Sequence, residues 1–353
     1  MKLVIALLLV ACGSQGQAGP AGRQGEQGLP GAAGNTGADG AAGADGADGM
    51  DLEDRSFGDG SSGALLISGP HSGDPWWYLD GRDANYTDVN ISNATLVVAP
   101  GTYWRVRGSV TIADNAQVFV GYGTRSQPNG YPLPSALPGV AFSTPNQFNW
   151  GPTGTFLGQS YGGYGCHASV AAYRLPPPAF GGCGYGGGGG DGGGSFAIIA
   201  KGAIDIATKI DAAGNTGGGG LGGTGGGGGG AIVLASTQSI TLRVTADLDV
   251  SGGNGDTSSG LHGAGGGGGG GLVWLGAPHI TTQGTFHVQG GQPGSNAVQP
   301  SMLSNPRHSG GGGGGSVGDG GNGSAITAGN VTTAATAGTE GLVIQVERAP
   351  PPF

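Results

Sequence analysis

Carboxylates and basic side chains recur in the second half of the chain, where they could support acid–base chemistry. Four aspartates lie in or beside apolar runs, with three basic residues nearby: Asp205, Asp211, Asp247, Asp249, Lys201, Lys209 and Arg243. Glycoside cleavage needs two carboxyl groups at a defined separation, and a lyase needs a base with a charge-neutralising partner. Lys201, Asp205 and Lys209 share one strand face only if the strand is unbroken. A solvated outer face is the simpler interpretation, so we assign no catalytic residue.

Metal-binding patterns are weak throughout the sequence. The six histidines are dispersed: His71, His167, His262, His279, His287 and His308. The segment Gly252-Gly253-Asn254-Gly255-Asp256 approaches a calcium-binding turn but carries its aspartate one residue early. Walker loops, Gly-x-Ser-x-Gly and His-Glu-x-x-His do not occur in the sequence. We therefore expect neither a metal nor a cofactor.

The first residues have the features of an export signal. Lys2 is followed by nine apolar residues and then by Cys12, which is too short for a membrane-spanning helix of about 20 residues. Leu9-Val10-Ala11-Cys12 resembles the bacterial lipoprotein signal, and the resemblance implies cleavage after residues 1–11 and a lipid on Cys12. Since Gly13 replaces the aspartate that favours inner-membrane retention, the resemblance implies the outer membrane or cell surface. The alternative is an ordinary secretory signal; the chain is exported in both cases.

The other two cysteines, Cys166 and Cys183, lie in residues 123–186, which are aperiodic and rich in proline, glycine and aromatic residues. Such a long aperiodic segment is typical of a functional or disordered loop. With Cys12 assigned to lipid, an even number of cysteines remains in an oxidising compartment, which favours a disulfide that closes the loop. Zinc binding with His167 is the alternative, but it lacks a fourth ligand.

Aromatic residues give the best indication of binding. Flat rings with few neighbouring charges suit stacking on sugars or contacts with a protein partner. The candidate ligand-binding residues are Trp76, Trp77, Tyr78, Trp150, Tyr161 and Tyr164. Core packing is the alternative for each ring. Trp76 and Trp77 cannot both point inward from one strand, whereas Trp104, beside an apolar run, is expected to be packed.

Composition restricts the class of protein. The 353 residues include 86 glycines and 21 prolines, far above the combined share of about 12% in average proteins. Only 10% of the residues are charged. An ordinary compact enzyme and a disordered polyelectrolyte are therefore both disfavoured. The net charge of −9, with 13 lysines and arginines, also disfavours nucleic acid as a partner.

Every third residue from Gly13 to Gly49 is glycine, at thirteen positions without a break. A collagen triple helix requires this period, because only glycine fits at its axis. Residues 12–51 resemble bacterial collagen-like stalks, and the period indicates a homotrimer through residues 13–51. A flexible tether is the alternative, since few prolines pre-set the backbone and several aspartates would face one another. Both alternatives make the segment a spacer.

The rest of the chain consists of short apolar, often β-branched runs between turn residues, which predicts strands. In residues 52–122, the runs 95–98, 109–112 and 117–120 fit either a sandwich or the first coils of a solenoid. In residues 187–353, glycine runs precede β-rich runs that start at Ser195, Ala231 and Leu272, 36 and 41 residues apart. This spacing is a repeat.

Stacked copies of such a unit bury a continuous core that one copy could not bury alone. The fold class predicted is therefore all-β: a parallel β-solenoid or β-helix-like head with polyglycine runs, preceded by the collagen-like Gly-X-Y stalk. The glycine runs either pack side by side as polyproline-type helices, which must bond to their neighbours, or remain mobile loops. We expect packed runs.

Residues 90–348 resemble the glycine-rich, solenoid-forming exported proteins of bacteria with complex cell surfaces. A weaker likeness is to phage and bacterial adhesin tips built from packed polyglycine, which implies recognition by loops. We expect a structural or adhesive surface lipoprotein, anchored in the membrane by lipid, that binds glycans or a surface protein. The alternative is a carbohydrate-active β-helix enzyme, either a polysaccharide lyase or a glycosidase.

The lipid anchor leads to a direct test. Replacement of Cys12→Ser removes the only thiol in the signal tetrad, so we expect the exported protein to move from the detergent phase to the aqueous phase. Detergent partitioning of cell fractions measures this shift. An unchanged membrane fraction would contradict lipidation at Cys12.

Overall fold

The computed structural model describes the following ranges: 56–73, 76–79, 83–99, 101–120, 140–142, 183–185, 189–218, 223–257, 263–295, 309, 311–327 and 330–348. All of them belong to the compact unit Gly49–Phe353. The predicted signal peptide, the predicted stalk and most of the loop 123–186 lie outside these ranges. Cys12 and Cys166 also lie outside these ranges. The predicted disulfide involves Cys166 and therefore lies outside them too.

The described residues wind through six coils, and each coil contributes three short strands. The first three coils contain β1 (Leu65–Ser68), β2 (Trp76–Leu79), β3 (Asp83–Tyr86), β4 (Val89–Ser92), β5 (Thr95–Val98), β6 (Thr102–Val106), β7 (Val110–Ile112), β8 (Gln117–Val120) and β11 (Ser195–Ala200). The last three contain β12 (Ile204–Ile206), β13 (Lys209–Asp211), β14 (Ala231–Ser236), β15 (Ser239–Leu242), β16 (Asp247–Asp249), β17 (Leu272–Gly276), β18 (His279–Thr282), β19 (Thr285–His287) and β22 (Leu342–Val346).

Equivalent strands of successive coils pair in parallel and form three six-stranded sheets. Sheet 1 has the order β1-β4-β7-β12-β15-β18, sheet 2 the order β2-β5-β8-β13-β16-β19, and sheet 3 the order β3-β6-β11-β14-β17-β22. This architecture confirms the predicted all-β stack of parallel strands, as in a β-solenoid. It also decides between the alternatives for residues 52–122, because β6, β7 and β8 pair directly with β11, β12 and β13.

Two small strand pairs lie in the insertions between coil strands. The first pairs β9 (Val140–Phe142) with β10 (Cys183–Tyr185) in parallel, within the predicted long loop. The second pairs β20 (Ala325–Thr327) with β21 (Asn330–Thr333) in antiparallel fashion. Both pairs are separate from the three large sheets.

Every second residue of a strand points its side chain inward, and these inward side chains form the core. Val110, Ile204 and Ile240 occupy one register position in sheet 1, and all three are fully buried. Each such side chain stabilises the fold by about 1.5–3 kcal/mol relative to exposure. Trp104 is fully buried as expected, and its ring lies nearly perpendicular to the rings of Tyr86 and Phe196.

The glycine runs pack side by side and bond to one another through their backbones. Gly226 donates to the carbonyl oxygen of Gly266 at 3.0 Å, and three residues later Gly229 donates to Gly269 at 2.8 Å. A three-residue period of outward donors is the signature of polyproline-type helices, which have no internal hydrogen bonds. We call this packed region the glycine array, and it matches the expectation of packed runs.

The segments that form the glycine array are insertions, and all of them branch from the same corner of the coils. In coils 3 to 6, they lie between the strand of sheet 2 and the strand of sheet 3. Glycine is required there because backbones approach too closely for a side chain: a Cβ on Gly268 would lie 1.9 Å from the carbonyl oxygen of Gly227. The array therefore extends the fold sideways without interrupting the ladders of the sheets.

Gly268→Ala tests whether this close packing stabilises the protein. The added Cβ must displace the backbone at Gly227, so we expect the free energy of unfolding to fall by about 1–3 kcal/mol. Gly218→Ala is the matched control, because a Cβ at Gly218 meets nothing within 4 Å. Chemical denaturation of both variants measures the difference, and equal stabilities would contradict a packed array.

Candidate ligand-binding surface

Outward-pointing side chains on sheet 2 form two ladders along the stack. The first ladder, in coil order, is Trp76, Thr95, Gln117, Lys209, Asp247 and Thr285. The second is Tyr78, Val97, Phe119, Asp211, Asp249 and His287. Residues between them on each strand point inward, because side chains alternate across a strand. The outer face of sheet 2 thus changes from aromatic in the first coils to charged in the later ones.

The aromatic part of this face is a compact group that we call the aromatic cluster: Trp76, Tyr78, Val97 and Phe119. The rings of Trp76 and Phe119 stack with centroids 5.5 Å apart and planes inclined by 19°. They belong to coils 1 and 3, so the stack passes across the coil between them. Val97 lies in that coil and points outward, yet it is only 3% exposed. The rings therefore cover an apolar patch outside the core, with Tyr78 exposed at 36%.

Trp77, the neighbour of Trp76, points the other way and packs against the core. Its Nε1 donates to the carbonyl oxygen of Gly69 at 2.9 Å, and its ring meets His71 edge-on at 4.7 Å. This contact anchors β2 and fixes Trp76 outside. Of the three neighbouring aromatic candidates in the sequence, the cluster contains Trp76 and Tyr78.

The charged part of the face, which we call the ionic ladder, consists of Lys209, Asp211, Asp247, Asp249 and His287. Lys209 Nζ lies 3.0 Å from Asp249 Oδ2 and 3.3 Å from Asp211 Oδ2, so it bridges two coils. His287 Nε2 lies 3.2 Å from Asp247 Oδ1 in the next pair of coils. These contacts order the polar groups in a row along the stack.

Hydrogen bonds and neighbouring charges set the protonation of Asp249 and Lys209. Burial disfavours the carboxylate of Asp249, but bonds from Ser251 and Lys209 outweigh it and hold the pKa of Asp249 below its ordinary value. Burial likewise disfavours the charged form of Lys209, yet the two aspartates raise the pKa of Lys209. Both groups are therefore ionised at neutral pH, which gives a source of hydrogen bonds and charge rather than a general acid.

The condition for Lys201, Asp205 and Lys209 to share one strand face, an unbroken strand, is not met. Turns interrupt the chain on both sides of β12, so Asp205 lies on sheet 1 and Lys209 on sheet 2. Asp205 forms a two-point ion pair with Arg243, in which Nε donates to Oδ1 at 2.8 Å and Nη2 donates to Oδ2. Asp205 and Lys209 thus take part in two separate ion-pair groups on solvated outer faces.

Several sequence candidates lie outside the described residues: Trp150, Tyr161, Tyr164 and Cys166. Cys183 lies in β10, where only its backbone pairing with β9 is described. In the described ranges, no group of three or more His, Cys, Asp or Glu residues is placed to hold a metal ion. A helix able to cross a membrane is also absent from that part of the chain.

Phe119 and Val97 belong to the aromatic cluster but were not predicted as binding residues. A signal for them was present, since in Gln117-Val118-Phe119-Val120 the inward side chains Val118 and Val120 place Phe119 outside. The contact between Phe119 and Trp76 joins coils 3 and 1. It follows only from the order in which the coils stack. Sequence spacing alone does not provide that order.

No protein-family model, curated protein or solved structure matches this chain.

The ionic ladder predicts a pH-dependent stability. Because the pKa of Asp249 is lowered on folding, its contribution is present above the unfolded-state value of about 3.9 and is lost as the pH falls below it. We expect Asp249→Asn to reduce the free energy of unfolding at pH 7 by about 1 kcal/mol. At about pH 2, the deficit of the variant relative to the parent should be smaller, because protonation of the carboxylate removes its contribution.

Urea denaturation at the two pH values measures this difference. Asp114→Asn, at an exposed corner position, is the matched control and should change stability by less than about 0.5 kcal/mol. A deficit for Asp249→Asn that is equally large at both pH values would show that geometry rather than charge stabilises the site.

Proposed function

We propose that this protein is an exported adhesive or structural component of a bacterial surface, and that it binds glycans on the outer face of sheet 2. The aromatic cluster is the observation that carries the proposal. Trp76 and Phe119 form a stacked pair outside the core of a parallel stack, where rings are not needed to fill volume. Aromatic faces at the surface suit the apolar faces of sugar rings.

The ionic ladder supports the same proposal, because it continues the aromatic cluster along one face. Carboxylates and a lysine accept and donate hydrogen bonds, as sugar hydroxyl groups do. Neighbouring coils repeat at about 4.8 Å, so polar groups occur at short, regular intervals. A linear glycan along the stack would meet an apolar platform in coils 1 to 3 and hydrogen-bonding groups in coils 4 to 6.

A carbohydrate-active enzyme is the second candidate, and the ionic ladder is the place to test it. A glycosidase needs one carboxyl group that is protonated at working pH beside one that is ionised. Lys209 lies 3.0 Å from Asp249 and favours its charged form, so Asp249 is poorly suited to supply the acid. Asp256 has a pKa raised by burial, but it belongs to the glycine array and not to the ladder.

The anchor and the stalk complete the proposal. We propose that a lipid on Cys12 holds the protein at the outer membrane or cell surface, and that residues 13–51 form the spacer. If three chains wind together there, three binding faces act at once, and weak single contacts gain from multivalency. The net charge of the chain is −9, which disfavours nucleic acid as a ligand and is compatible with a glycan or a protein.

Trp76→Ala tests the binding face. We expect the mature protein to bind its best glycan on an array at least tenfold more weakly, or about 1.4 kcal/mol, because the variant loses the stacked pair. Trp274→Ala is the matched control: Trp274 packs on the outside of sheet 3 against a separate apolar group. We expect the control to lose stability without losing glycan binding.

Two results would count against the proposal. Equal loss of binding in Trp76→Ala and Trp274→Ala would show that the effect is general destabilisation. Release of unsaturated or reducing sugars from the bound glycan would favour the enzyme instead.

A further inference from the structure

The corners between sheet 1 and sheet 2 differ in length from coil to coil. In coils 3 and 5, four residues separate the strands, 113–116 and 243–246, whereas coil 4 uses only Ala207 and Thr208. Each longer corner closes on itself: Ala116 donates to Ala113 at 3.1 Å, and Ala246 donates to Arg243 at 2.8 Å. Two protruding turns therefore flank one short turn.

A notch lies where the short turn recedes. It has a volume of about 400 Å³, with Ala207, Asp114 and Val244 among the residues that line it. Coils 3 and 5 are two ladder steps apart, or about 9.6 Å, which leaves room for one ring-shaped group between the turns. We call this space the corner notch. The residues that line the notch come from sheet 1 and from the corners themselves. Because each corner leads directly into a strand of sheet 2, a chain on sheet 2 reaches the notch by crossing the corner.

Polar groups in the corner notch are held in fixed positions. Asp205 points outward beside Thr111 in the register of sheet 1, and its two oxygens hold the Arg243 guanidinium through Nε and Nη2. This pairing leaves the Nη1 donors of Arg243 outside the ion pair. Thr245 Oγ1 donates to the carbonyl oxygen of Ala207 at 2.6 Å and ties the coil 5 wall to the floor.

An apolar contact stands beside these polar groups. Val244 is 75% exposed, although its chain neighbours Arg243 and Thr245 are tied to coil 4. The notch thus presents hydroxyl, carboxylate and guanidinium groups next to one apolar side chain. Sugar rings have this combination of hydroxyl edges and an apolar face, whereas a purely apolar ligand would leave the polar groups unsatisfied.

We propose that the corner notch binds one neutral sugar ring, as a second contact for the glycan chain bound by sheet 2. The proposal of a glycan as the ligand rests on the proposed function, but the notch is a separate site in different residues. Asp114 and Asp205 outnumber Arg243, so the net charge of the notch disfavours acidic sugars such as uronates. Neutral hydroxylated rings carry no such penalty.

Calorimetric titration of the full mature chain tests the proposal, with cellohexaose and maltohexaose as neutral probes and hexagalacturonate as the acidic probe. Val244→Asp removes the apolar contact at the mouth of the notch and replaces it with a hydrated carboxylate, so we expect at least tenfold weaker binding of the neutral probe. Leu66→Asp is the matched control, since Leu66 is 71% exposed on the outer face of sheet 1 but lies in coil 1, outside the notch. It should bind as the parent does.

Ala207→Leu fills the floor of the notch and gives a second variant that does not depend on charge. The backbone bond from Ala207 to the carbonyl oxygen of Ile112, 2.8 Å long, does not involve the substituted side chain. We expect at least tenfold weaker binding here too. Thermal unfolding of each variant identifies any loss that comes from misfolding, and Ala207→Leu then decides the result if Val244→Asp does not fold.

The outcomes of these titrations separate this site from the proposed function. Loss of binding in both notch variants with normal binding by Leu66→Asp supports the notch. Loss in Trp76→Ala alone overturns the notch and leaves the proposed function standing. Loss in the notch variants alone supports the notch and overturns the aromatic cluster. If neither neutral probe binds the parent, or hexagalacturonate binds more tightly, the notch is overturned.

Discussion

The need to pair every buried backbone N–H and C=O group determines most of this structure. In the six coils, that need is met by ladders between equivalent strands, and the core follows from whichever side chains then point inward. In the glycine array, it is met by bonds such as those from Gly226 and Gly229 to the next run. The two regions look different, but both are stacks in which each layer satisfies the backbone of its neighbour.

The division between inward and outward residues explains how a binding surface can coexist with such a regular fold. Inward positions mostly carry apolar residues, which must fit the layers above and below, as Ile204 fits between Val110 and Ile240. Outward positions have no such restriction. Sheet 2 can therefore carry Trp76 and Phe119 in early coils and an ionic ladder in later ones, while its core side stays uniform.

Much of the fold follows from the sequence, and the exceptions have physical causes. The runs 95–98 and 117–120 predict strands with the bounds the structure has, and the runs that start at Ser195, Ala231 and Leu272 begin where β11, β14 and β17 begin. Asp83–Tyr86 gives no such signal, because its strand depends on pairing with β6 rather than on its own propensity. Trp76 and Tyr78 are recognisable from residue type alone. Their contact with Phe119, and the notch at Ala207, depend on how coils of unequal length stack, which residue spacing does not specify.

The position of the insertions also determines how the solenoid resists force. Coils 3 to 6 are joined twice, once through the three sheets and again through the glycine array, where Gly313 of the last insertion bonds to Gly226 of an earlier one. Coils 1 and 2 carry no insertion there, so only their ladders and side-chain packing, including the stack of Trp76 on Phe119, hold them to the rest. A pull at the N-terminal end would peel those two coils first and stop at the braced part. Trp76 lies in coil 1. A contact between this residue and a surface would therefore be released when coil 1 unwinds, before the braced coils unfold.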